Sequence, residues 1–130
     1  MLSALFIEET EDTPKVHLDK EKGIFEISKK SLPEDAISFY KPVFEWINEY
    51  IDNPNPITNF VFFFEYFSTS TAKQLSKLMI LLEKLRDFSE VHILWQFFEG
   101  DVDMEMAGKR YIQLIDLHIE IEAVPDEYDD

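Results

Sequence analysis

Cysteine is missing from this sequence, and with it go disulfides, thiol chemistry and cysteine-based metal sites. Glycine occurs only 3 times in 130 residues, too few for a glycine-rich loop that cradles phosphate. Basic residues are scarce as well: 12 Lys and Arg stand against 27 Asp and Glu, a net charge of −15. Such a surface repels phosphate backbones and anionic lipid headgroups, which disfavours nucleic acid and membrane surfaces and leaves a basic protein partner open. Apolar runs never reach membrane-spanning length. The opening segment Met1–Ile7 is too short for a secretion signal and lacks the basic flank, so the expected location is the cytoplasm.

Aromatic residues, by contrast, are plentiful, with 12 Phe, 5 Tyr and 2 Trp, and 45% of the chain is hydrophobic. That excludes the low-hydrophobicity, high-charge balance of a disordered chain. The length suits one domain. We expect a single domain over residues 1–124 followed by an acidic tail, 125–130.

The patterning reads as α/β. Leu2–Ile7 is a short strand, and Val16 and Leu18 alternate with polar neighbours in a second. Lys20–Gly23 turns into Ile24–Ser28, the other arm of an N-terminal hairpin. Ser31-Leu32-Pro33-Glu34 is a helix-start signal, with Ser31 as cap, Pro33 in the first turn, and Glu34 and Asp35 at the positive dipole end. Ile37, Tyr40, Phe44, Ile47 and Ile51 follow at helical spacing, widened by Val43 and Tyr50. Phe60–Phe67 is a continuous apolar run, as in a central strand covered on both faces. An amphipathic helix with Ala72, Leu75, Leu78 or Met79, Leu82 and Leu85 inside leads to the strand Val91–Phe97. Together these predict a parallel β-α-β unit with a right-handed crossover. A third helix over Asp101–Leu114 and a last strand over Leu117–Ile121 complete a single-domain mixed sheet.

Between the central strand and its helix lie four hydroxyls, Ser68-Thr69-Ser70-Thr71. In open α/β sheets, ligands gather at the carboxyl ends of parallel strands. A helix start there offers unpaired N–H groups and a positive dipole end, which stabilise a phosphate. A phosphate would also place about two negative charges on an exposed corner. The bland alternative is that these hydroxyls only cap the helix of a constitutive interaction domain.

Other constellations carry less. Asp101, Asp103 and Glu105 lack the later ligands and the glycine of a calcium loop. The histidines His17, His92 and His118 lack metal spacing, although His92 and His118 fall in strands that can approach each other. No Gly-x-Ser-x-Gly elbow supports a hydrolase built on Ser68 or Ser70. We expect no metal, no cofactor and no catalysis. Trp46 lies off the main helical stripe and is the candidate surface anchor for a partner.

The segment Glu65-Tyr66-Phe67-Ser68-Thr69-Ser70-Thr71-Ala72-Lys73 resembles the signature of the SiaC family of bacterial regulatory phosphoproteins, Glu-Tyr-Phe-Asn-Thr-Ser-Ser with a Lys two residues on. Thr13-Pro14, the Ser31-x-Pro33-Glu34 element, Tyr40, Pro42, Trp46 and Tyr50, then Trp95, Asp101, Asp103, Met104 and Gly108 match in order, over almost the whole chain. Two positions depart: Ser68 replaces the usual Asn, and Lys29 stands where Gly is common. The resemblance implies a non-enzymatic partner-switching protein with a fold similar to the STAS-like anti-sigma-factor antagonists. It implies a dedicated Ser/Thr kinase and a cognate phosphatase acting on Thr69, with Ser68 and Ser70 as alternative acceptors. It further implies an effector that binds the unphosphorylated form, a diguanylate cyclase in the best-known case, and so a place in cyclic di-GMP signalling and biofilm control. Ser68, Ser70, Thr71 and Lys73 are the residues expected to shape the partner site around Thr69.

Overall fold

Period-two burial separates the two sides of the sheet. In the computed structural model, which describes residues 2–126, strand β4 (Ile57–Phe67) buries Thr58, Phe60, Phe62 and Phe64 while Asn59, Val61 and Phe63 alternate with them in less buried positions. The same alternation runs through β2 (Lys15–Asp19) and β5 (Glu90–Phe98). With β1 (Leu5–Ile7), β3 (Ile24–Ser31) and β6 (His118–Val124), these strands form one six-stranded sheet in sequence order. The first two pairings are antiparallel and the last three parallel. Three helices, α1 (Ala36–Ile51), α2 (Thr69–Leu85) and α3 (Val102–Leu114), bridge successive parallel strands. The predicted β-α-β unit is thus one of three in a mixed α/β domain. No helix among the described residues is long and apolar enough to cross a membrane.

Because β3, β4, β5 and β6 advance in one direction, crossovers of one hand place every helix on the same face. Packing agrees. From α1, Trp46 and Tyr50 meet Phe25 with ring centroids 6.0 and 5.1 Å away. From α3, Tyr111 lies 5.3 Å from Trp95 and its hydroxyl donates to the Ala72 carbonyl of α2 at 3.3 Å. The expectation that β4 is covered on both faces is therefore corrected. Val61 and Phe63, part-buried on the far face, keep its apolar run unbroken; Phe63 packs on Phe98 at 5.0 Å.

The N-cap of α1 also differs from expectation. Asp35, not Ser31, caps it: the carboxylate accepts from Ser38 N at 3.1 Å and from Ser38 Oγ at 2.8 Å. These two bonds, the hydroxyl's foremost, hold the Asp35 carboxyl below its ordinary pKa. Ser31 instead ends β3, and Pro33 and Glu34 lie in the connection before the helix. Of the predicted stripe, Tyr40 and Ile47 are buried with Val43 and Tyr50, whereas Ile37 is 68% exposed. The acidic tail expected from 125 lies, beyond Asp126, outside the described residues.

A bulge precedes Ser31 at the end of β3. The β3–β4 register shifts between Lys29 and Lys30, leaving Glu65 without an opposite residue. Lys29 takes φ +81°, the left-handed region that glycine occupies without a Cβ penalty. This accounts physically for the Gly common at that position in the family the sequence resembles. Lys29→Gly is expected to stabilise the domain by about 1 kcal/mol, since a left-handed non-glycine residue costs about 1–2 kcal/mol. Urea denaturation measures it, and an unchanged or lowered midpoint contradicts the strain.

Candidate functional site at the start of helix α2

Where α2 begins decides what each hydroxyl can do. Ser68 is the N-cap, with extended backbone, and its side chain accepts from Thr71 N at 3.2 Å. Ser68 N donates to the Ser31 carbonyl at 3.0 Å, so the cap is tied to the end of β3. Given that cap, the next two residues face outward: Thr69 and Ser70 are exposed, and Thr71 is turned inward and fully buried. Ser70 Oγ lies 3.0 Å from Ser68 Oγ. The Thr69 hydroxyl makes no hydrogen bond among the described residues. It stands at the first position of a 17-residue helix, beside the N–H groups that have no partner within the helix.

Beneath this corner runs a buried chain of hydroxyls. Thr71 Oγ1 donates to the Ser31 carbonyl at 3.1 Å and accepts from Ser68 Oγ at 3.2 Å. Ser31 Oγ lies 2.9 Å from Thr71 Oγ1 and 2.7 Å from the Tyr40 hydroxyl. One assignment satisfies every member: Tyr40 donates to Ser31 Oγ, Ser31 Oγ to Thr71 Oγ1, and Thr71 Oγ1 to the Ser31 carbonyl. Burial pushes the Tyr40 phenol well above the ordinary tyrosine range, which keeps it protonated as a donor. The chain links α2, β3 and α1 at the carboxyl end of the parallel strands, where the sequence placed the chemistry.

Two expected partner-binding residues are corrected here. Thr71 is 0% exposed and is committed to Ser31 and Ser68, so it holds α2 to β3 and offers no surface. Trp46 is 7% exposed, stacks on Tyr50 with centroids 5.3 Å apart, and donates its indole N–H to the Ser3 carbonyl at 2.7 Å. The N-terminal segment covers it, so it is no surface anchor. Lys73 is exposed, one turn beyond Thr69 on the same side of α2, and forms no ion pair among the described residues. Ser31 and Tyr40 complete the chain that the sequence reading missed, having placed Ser31 in a cap and Tyr40 in an apolar stripe.

The remaining candidates stand apart from this corner. Asp101 is the N-cap of α3, accepting from Met104 N at 3.1 Å, and Asp103 and Glu105 occupy the first turn. His92 and His118 do meet across β5 and β6, 5.8 Å between ring centroids, with His92 Nε2 2.8 Å from Glu90.

The family model for the SiaC family regulatory phosphoproteins matches residues 7–124. In structure the chain resembles SiaC of Pseudomonas aeruginosa, with a TM-score of 0.84 and 20% identity over 94% of this chain and 99% of that one. It also resembles a chain in the crystal structure of the diguanylate cyclase SiaD in complex with its activator SiaC from the same organism. There the TM-score is 0.86 at 19% identity, covering 92% and 99% of the two chains. No curated protein matches the chain in sequence.

Proposed function

Because this chain belongs to the SiaC family of regulatory phosphoproteins, we propose that it is a cytoplasmic binding protein switched by reversible phosphorylation of Thr69. The carrying observation is that Thr69 alone combines exposure, an uncommitted hydroxyl and the first position of α2. Ser68 is engaged as the cap and Ser70 is bonded to it, which ranks both behind Thr69 as acceptors. A phosphate on Thr69 lies at the positive end of the α2 dipole, with Lys73 one turn away as a counter-charge. It adds about two negative charges to a corner that a partner must approach and desolvate, so the bare form binds and the phosphorylated form releases.

The kinase and phosphatase are separate proteins in this reading. The effector is a diguanylate cyclase, as in the complex of the P. aeruginosa relative with SiaD. The chain acts by binding: the hydrogen bonds of Ser68 and Ser70 go to other hydroxyls and to a backbone N–H, none to the His, Asp or Glu that an activated nucleophile needs. The switched residue opening a helix parallels the STAS-like antagonists.

Phosphopeptide mapping of protein from its native cells tests the site. Phosphate on Thr69, abolished by Thr69→Ala, is the expected result. Undiminished labelling of Thr69→Ala moves the acceptor to Ser68 or Ser70, and no phosphate under any growth condition leaves a constitutive interaction domain with a capped helix.

A further inference from the structure

Along the outer side of α2, Thr69, Lys73 and Lys77 recur at intervals of four residues, with Ile80 and Lys84 continuing the row; all five are exposed. Lys77, Ile80 and Lys84 of this row line a groove of about 790 Å³ between α1 and α2, with Ile37, Phe44, Ile80 and Leu81 as its apolar lining. Ile37 and Ile80 are 68% and 55% exposed. Gln74 also lines the groove and is only 6% exposed.

The charge around this groove runs against the rest of the molecule. The whole chain has 27 acidic residues to 12 basic ones, yet Lys41, Lys77, Lys84 and Arg86 border the groove against Glu45, Glu83 and Asp87. Two of these are already occupied: Arg86 pairs with Asp116, and Glu83 accepts from Asp116 N at 2.6 Å. The three lysines make no ion pair among the described residues. An acidic protein that keeps three unpaired lysines beside exposed isoleucines is complementary to an apolar surface edged by carboxylates.

We infer that the α1–α2 groove is the effector-docking surface, and that its occupant is an amphipathic helix of another protein whose apolar stripe is flanked by Asp and Glu. A trough between two helices of 16 and 17 residues takes a third helix as its natural filling. A second copy of this chain fits poorly, because an isologous contact sets groove against groove rather than a helix into a groove. The inference rests on the switch reading and gives it a mechanism. Thr69 lies about 6 Å along the helix axis from Lys73, within the screening length of physiological salt, and about 12 Å from Lys77. A phosphate there draws on Lys73 and repels the acidic edge of the incoming helix.

The test titrates the ¹⁵N-labelled chain with a synthetic peptide of about 18 residues, roughly the length of α2. The peptide carries leucines on one helical face flanked by glutamates; a second peptide has lysines in place of the glutamates. The glutamate peptide is expected to bind more tightly, to shift amide resonances of α1 and α2, and to lose about tenfold in affinity on combined Lys77→Glu and Lys84→Glu substitution. These side chains are exposed, and a thermal melt confirms that the variant folds. Equal or absent binding of the two peptides, or shifts confined to the helix-free face of the sheet, overturns the groove. Thr69→Glu separates the two ideas. If it leaves glutamate-peptide binding unchanged while the lysine reversals abolish it, the groove stands and the switch falls. If Thr69 is phosphorylated in cells but the peptide never enters the groove, the acceptor stands and the groove falls.

Discussion

Gly108→Ala is expected to destabilise the domain by about 3 kcal/mol, despite placing a better helix former in α3. A Cβ at Gly108 would sit 2.5 Å from Trp95 Cδ1 and 2.9 Å from both Cγ and Nε1. None of these is the free end of a flexible side chain. The indole is fully buried, packed against Phe62, Phe64 and Tyr111, and anchored by its N–H to the Met104 carbonyl at 2.9 Å. To make room, the ring must leave its rotamer or α3 must lift off the sheet. Overpacking of this kind costs about 1–3 kcal/mol, and a lost buried indole hydrogen bond adds about 1–2 kcal/mol. Helix propensity returns only about 1 kcal/mol. Urea denaturation of the variant measures the balance, and a loss below about 1 kcal/mol would show that α3 is free to shift at Gly108. Trp95 and Gly108 are both among the residues that carry the family resemblance, and their contact supplies a packing reason for that pair.

The elements that the sequence revealed most clearly are those whose information is local. Helix α2 shows a polar cap, an amphipathic stripe through Leu75, Leu78, Leu82 and Leu85, and a basic last turn, all within 17 residues. Once Ser68 is taken as the cap, helical geometry alone exposes Thr69 and buries Thr71 two residues later, although the four hydroxyls look equivalent as a string. The family resemblance singled out Thr69; position on the helix is the physical counterpart of that choice.

The misreadings share a cause, contact between residues distant in sequence. Ser31 looks like a cap because Pro33 and Glu34 follow it, but β3 runs three residues past Ser28, through the irregularity at Lys29, and Ser31 bonds Thr71, 40 positions away. Trp46 lies off the aliphatic stripe and reads as exposed until the N-terminal segment folds over it through Ser3, 43 positions away. The run from Phe60 to Phe67 cannot announce how many helices cover it. One covered face and one part-buried face, where Phe63 packs on Phe98, produce the same unbroken hydrophobicity as two covered faces.

The buried hydroxyl chain yields the other large effect. Thr71→Val is isosteric, yet it is expected to cost about 2 kcal/mol, because it leaves the buried Ser31 Oγ without its acceptor and takes one of two donors from the Ser31 carbonyl, which keeps Ser68 N. Tyr40→Phe removes a hydrogen bond from the other end of the chain but strands little, since Ser31 Oγ keeps Thr71 as its acceptor; about 1 kcal/mol is expected. Equal losses in the two variants would contradict the donor order proposed for the chain. Alkaline denaturation checks the same arrangement from the phenol's side. Burial raises the folded-state pKa of Tyr40, and of Tyr111, above that of the unfolded chain. The stabilisation from each is then fully present below pH about 10 and declines as pH rises toward the folded-state value, because the unfolded chain releases the proton first. Each raised phenol contributes a slope of up to about 1.4 kcal/mol per pH unit in that window. Tyr40→Phe should therefore lower stability at neutral pH while flattening the alkaline slope by about that amount. A slope unchanged by the substitution would mean that the Tyr40 phenol is open to water, and that Ser31 and Thr71 do not form the dry junction beneath the switch.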